Sequence, residues 1–87
     1  MNQKPLPHLE LPTELDVAAI RAKTRYRGGW TALTQDNFAR LIGVSVRTVR
    51  QWEQGRRQPT GAAWVLLAMV DRQPNIVSEV LAQPAKR

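Results

Sequence analysis

At 87 residues the chain has room for one domain with a small core, and little surplus for a deep catalytic cleft. It has no cysteine and a single histidine, His8, set among prolines, which leaves no disulfide framework, no thiolate nucleophile and no metal site. Thirteen Lys and Arg against seven Asp and Glu give a net charge of +6, and nine of those basic residues with only two of the acidic ones lie between Arg21 and Arg57.

Met1 to Pro12 holds Pro5, Pro7 and Pro12 and reads as an extended arm, not a helix. Thr13 offers an N-cap with Asp16 three residues on, a short-carboxylate form of the capping box. Val17 and Ile20 follow at helical spacing, which predicts a first helix from about Glu14 to about Thr24. The Gly28-Gly29 pair within Arg25 to Leu33 should stop or turn the chain. A second helix starts from Thr34 as cap, with Asp36 where the helix dipole favours a carboxylate. It carries Phe38, Leu41 and Ile42 inward and ends at Gly43 in the left-handed conformation. Ser45 caps a third helix with Val46, Val49 and Trp52 as its apolar positions, ending before Gly55. Beyond Pro59, Thr60 or Gly61 opens a fourth helix with Ala63, Leu66, Leu67 and Val70 inside. Pro74 sits in the first turn of a short last helix containing Ile76, Val77, Val80 and Leu81. Five helices and no credible strand predict an all-α domain.

The informative stretch runs from Gln35 to Trp52. Two helices joined by so short a turn must cross steeply, which needs a small residue inside the first, and Ala39 supplies it. The turn needs a residue that tolerates positive φ, and Gly43 follows four positions later. Phe38, Ile42, Val44, Val49 and Trp52 would close a core beneath both helices. The opposite face of the later helix is Ser45, Val46, Arg47, Arg50 and Gln51, polar apart from one small valine. A concentrated basic segment around such a face suits a polyanion, because each phosphate neutralised releases condensed counterions. A merely solvated basic face carries the same charge.

The residues LTQDNFARLIGVSVRTVRQWEQGRRQPTG resemble the Cro/repressor (XRE-type) helix-turn-helix family, with its opening at Thr34-Gln35, its Ala39 and Gly43, and its close at Trp52-Glu53, Gly55 and Pro59. The phrasing DVAAIRAKT and SVRTVRQWEQGRRQPTGAA is similar to the HigA-type antitoxin branch, in which the protein represses its own operon and binds a cognate RNA-cleaving toxin. The resemblance implies a five-helix domain over residues 13–83, between the arm at 1–12 and a basic tail at 84–87. It also implies residue roles. Ser45, Val46, Arg47 and Gln51 face base edges in the major groove, with Arg47 suited to guanine, Gln51 to adenine and Val46 to a thymine methyl. Gln35, Thr48, Arg50, Arg56 and Arg57 contact phosphate and fix register. Glu53 and Arg21 form an ion pair tying the first helix to the third, and Trp52 belongs to the core. Arg47, Arg50 and Gln51 also have a plainer reading as solvated surface.

Nine residues, Arg25 to Leu33, stand where the family usually needs a few. They read as a lengthened first helix with a glycine cap, as an excursion placing Arg25 and Arg27 against flanking phosphates or a narrow minor groove, or as a partner or dimer contact. A reader of this size covers few base pairs, so a homodimer on a near-palindromic operator, its own promoter, is expected, with the last helix either as interface or only completing the core. The leading reading is a repressor and antitoxin with a small toxin as partner, bound through the arm or the tail. The rival is a phage or mobile-element repressor without a toxin. No enzyme, cofactor or metal chemistry is expected. No apolar run approaches the roughly 20 residues of a membrane span, and the start lacks a signal peptide's apolar stretch. The expectation is a soluble cytoplasmic protein.

Overall fold

The computed structural model describes residues 6–26 and 29–82. Among them are five helices, α1 (Val17–Lys23), α2 (Gln35–Ile42), α3 (Val46–Glu53), α4 (Ala62–Arg72) and α5 (Ile76–Leu81), and no strand. The fold is all-α, as the apolar spacing predicts. Arg27, Gly28 and the tail at 84–87 lie outside the described residues, as does the start of the arm.

Local chemistry sets most of the helix boundaries. Thr34 accepts a hydrogen bond from the Asn37 amide, and Ser45 does the same for Thr48, both at 3.1 Å, so each satisfies a donor that the first helical turn leaves unpaired. Gly43 ends α2 at φ 90°, and the Gly43 and Val44 amides both donate to the Ala39 carbonyl. The turn between α2 and α3 is therefore three residues long. The first helix departs from expectation. It begins at Val17, because Asp16, in extended conformation, caps it by accepting from the Ala19 amide. Asp is a better cap than Thr, and Leu15 already packs on the core ahead of it.

The core joins all five helices except for the outer face of α5. Val17 and Ile20 of α1, Phe38, Ala39 and Ile42 of α2, Val49 of α3, and Leu67 and Val70 of α4 form one buried cluster. Phe38 sits at its centre with no exposed surface. Ala39 is buried where α2 and α3 meet most extensively, the position at which a larger side chain would hold the helices apart. Trp52 and Val46 are half-buried and pack on the cluster from α3. On α4, Ala63 and Leu66 lie only partly inside while Ala68 is buried. On α5, Ile76 and Val77 reach the core, whereas Val80 and Leu81 remain exposed. That short helix covers the core with one face only.

The described part of the arm is seated on α4. Trp64 donates its indole N–H to the Pro12 carbonyl at 3.1 Å, and an Arg72 Nη donates to the Glu10 carbonyl at the same distance. Further out, the Leu9 amide bonds the Leu6 carbonyl across a turn with Pro7 and His8 at its centre. His8 has φ 71°, the positive value that the third position of a type II turn demands.

Candidate nucleic-acid interface

The candidate reading face is built on α3. Arg47, Arg50 and Gln51 are spaced at three and four residues, so they share one side of the helix. Both arginines are exposed and Gln51 is half-exposed. The helix ends in a Schellman motif: the Gly55 amide bonds the Trp52 carbonyl at 3.1 Å and the Arg56 amide bonds the Gln51 carbonyl at 2.9 Å, with Gly55 at φ 75°. The Arg57 amide reaches the same Gln51 carbonyl at 3.3 Å. These main-chain bonds hold exposed Arg56 and Arg57 immediately beyond the end of the reading face.

The remaining cations near the site are engaged elsewhere. Arg21 pairs with Glu53, Lys23 with Asp71, and Arg40 with Asp36 four residues before it. Arg25 folds its guanidinium back onto the carbonyls of Ala22 and Thr24 and caps the end of α1. By contrast, Arg47, Arg50, Arg56 and Arg57 form no ion pair with another described residue. The unneutralised positive charge of the described residues between 35 and 57 thus gathers along α3 and the loop after it.

Beneath this face lies a node of three side chains. Glu53 Oε2 accepts from Arg21 Nε at 2.7 Å, and Oε1 accepts from both Arg21 Nη2 and Gln35 Nε2 at 2.9 Å. Arg21 Nη1 donates to the Leu33 carbonyl at 3.0 Å. The hydrogen bonds from Arg21 chiefly, then that from Gln35, hold the Glu53 carboxyl below the ordinary carboxylate range against the opposing effect of burial. Arg21 is raised correspondingly by its hydrogen bond to Glu53. The node locks α1, the start of α2 and the end of α3 into one rigid unit. Rigidity of this kind presents a reading face without an ordering cost on binding.

The structure brings together most of the residues singled out from the sequence. Arg47, Gln51, Arg50, Arg56 and Arg57 are contiguous and outward-facing. Gln35 lies at the α2 start with one amide N–H engaged by Glu53. Ser45 and Thr48 share a hydroxyl–hydroxyl bond of 2.9 Å at the α3 start, and Val46 is half-buried against the core. Arg25 stands apart as a helix cap. Three features escaped sequence reasoning. The Gln35–Glu53 bond spans 18 residues and leaves no local trace. The Ser45–Thr48 pair has capping-box spacing, and Arg25 follows a helix end where basic side chains commonly bond carbonyls, so both had a readable signal.

This geometry, two short helices about a three-residue turn with a buried small residue and a capped, exposed second helix, defines a helix-turn-helix. Residues 32–71 match the Helix-turn-helix family, so that the stretch from the approach to α2 almost to the end of α4 is a domain of that family. Among curated proteins, the chain is similar to Antitoxin HigA-2 of Vibrio cholerae serotype O1. The two are 49% identical over 43 residues, covering 49% of this chain and 41% of that protein. It is also similar to the uncharacterized HTH-type transcriptional regulator YiaG of Escherichia coli strain K12. Here identity is 35% over 51 residues, covering 59% of this chain and 53% of the relative. The chain spans about half the length of these curated relatives. No solved structure matches it. No helix among the described residues is long and apolar enough to cross a membrane.

Proposed function

We propose that this protein is a sequence-specific double-stranded DNA-binding transcription regulator that represses its own promoter as a homodimer on a near-palindromic operator. One observation carries the reading: Arg47 and Arg50 stand exposed and Gln51 half-exposed on a braced helix, without an ion pair to another described residue, with Arg56 and Arg57 pinned beside them. In the bound state α3 enters the major groove. Arg47 donates two bonds to guanine O6 and N7, and Gln51 pairs with adenine N6 and N7. Arg50, Arg56 and Arg57 clamp phosphates, joined by the second amide hydrogen of Gln35 and by Thr48. Ser45 and Val46, at the start of α3, complete the base contacts. Two half-sites read together supply the specificity that one module of a few base pairs lacks.

The similarity to Antitoxin HigA-2 supports a finer reading, in which the protein also neutralises a small RNA-cleaving toxin. The arm, seated on α4 on its own main-chain carbonyls, is the element we assign to that partner. The similarity to YiaG, described as a transcriptional regulator alone, favours a second reading without a toxin.

Fluorescence anisotropy with duplex DNA from upstream of the protein's own gene, against random duplex at about 150 mM salt, tests the first claim. Binding to the upstream DNA roughly a thousandfold tighter supports a sequence-specific autoregulator. Equal, weak, salt-sensitive binding to both sinks it. Co-expression with the neighbouring small open reading frame separates the two finer readings, since only an antitoxin copurifies with that product and suppresses its toxicity.

A further inference from the structure

One feature of the molecule plays no part in the reading face. Trp30, in the segment between α1 and α2, is 94% exposed, and Tyr26 in the same segment is half-exposed. Four residues from Trp30, Tyr26 forms one wall of a groove of about 500 Å³. Its other apolar walls include Leu33, Leu41 of α2, and Val77 and Leu81 of α5, with Asn37 and Arg40 of α2 and Ser78 of α5 also lining it. Leu81 and the neighbouring Val80 are 70% and 68% exposed. A solvated tryptophan beside an unfilled apolar groove is what an interface looks like from one side.

We infer that Trp30 of each chain inserts into the groove between α2 and α5 of a second copy, forming a two-fold homodimer. The inference deepens the dimeric reading above and rests on it only for its biological use. Three observations select a second copy as the occupant. Trp30 lies between two residues of the groove wall, Tyr26 and Leu33, so a two-fold axis passing close to that segment makes both contacts at once, the self-complementary pattern of an isologous interface. The area suffices: Trp30, Tyr26, Val80 and Leu81 together expose on the order of 500 Å² of mostly apolar surface, most of the roughly 800 Å² per partner in a standard interface. The charge also fits. Among the described residues Arg40 is the one charged residue lining the groove, and Asp36 pairs with it at 3.1 Å, so it offers a second strongly basic chain little repulsion. That neutrality disfavours DNA as the occupant, because a phosphate needs an uncommitted cation. No α3 residue lines the groove, which leaves both reading faces clear.

The test is sedimentation equilibrium on the full chain without DNA. Wild type should dimerise reversibly. Trp30→Ala removes the knob and Leu81→Arg blocks the groove, and both positions lie outside the core, so the variants fold. Each alone should weaken dimerisation by roughly thirtyfold or more, the size of a hot-spot truncation. Mixed together, they should associate more tightly than either variant alone, because one knob then meets one open groove. A wild-type monomer, a Trp30→Ala dimer as tight as wild type, or a mixture no tighter than its components would each overturn the inference. A wild-type dimer that ignores upstream DNA would instead sink the regulatory reading and leave the interface standing.

Discussion

Arg47 and Arg57 are both exposed guanidiniums, and the proposed function gives them opposite tasks. Arg47 projects from the body of α3, which the proposal puts against base edges, whereas Arg57 sits in the loop that a Schellman motif fixes outside it. Arg47→Ala should therefore cost about 1–3 kcal/mol at the operator and relax preference at one base pair. Arg57→Ala should weaken operator and random duplex alike and lower the slope of log affinity against log salt by about one. Titrations of both variants at several salt concentrations check this, and equal losses on both DNAs by both variants would abolish the distinction. At Glu53 the expectation concerns stability. Its folded-state carboxyl is held below its ordinary value of 4.5 by Arg21, so the stabilisation is fully present above that pH and is lost as pH falls through the folded value. Glu53→Gln should lower stability at neutral pH by about 2 kcal/mol, since the pair is only partly buried, and flatten the dependence on pH below 4.5. Urea midpoints measured from pH 3 to 7 separate this from a pH-independent packing loss. Arg21, raised by its hydrogen bond to Glu53, stays charged throughout.

Helix ends divide the legible from the hidden. The α2 and α3 starts were readable because Thr34 and Ser45 each act on an amide three residues away, and the α2 end because Gly43 alone there tolerates φ 90°. Gly43→Ala should cost about 1–2 kcal/mol. No neighbouring atom lies within 4 Å of the added methyl, so the whole cost is backbone strain, and Gly43→Asn should recover part of it. Thermal melts of the two variants give the comparison. The α1 start was ambiguous because Thr13 and Asp16 both offer caps three residues apart, and the choice depends on Leu15 packing on a core assembled from distant segments. That Arg47, Arg50 and Gln51 share one side of α3 was legible from their spacing, since helical periodicity is local. The node under it was not, because Arg21, Gln35 and Glu53 come from three helices and meet only once these have packed.

Taken whole, the molecule is a small core with two appendages that the core does not need, the Trp30 segment and the arm. The arm's seat depends on Trp64, 52 residues from the carbonyl it binds, a pairing with no signature in the sequence. Trp64→Phe keeps the ring and removes the donor, so it should leave the melting temperature nearly unchanged while raising proteolytic cleavage within residues 6–12. Equal cleavage of both proteins would mean that packing alone seats the arm. The anchors are the carbonyls of Glu10 and Pro12, which every amino acid would supply equally well. Mutational drift at Glu10 can therefore change the side chain and leave both anchoring hydrogen bonds in place. A lineage that changes its binding partner could do so here, letter by letter, while the DNA reader behind it keeps its text.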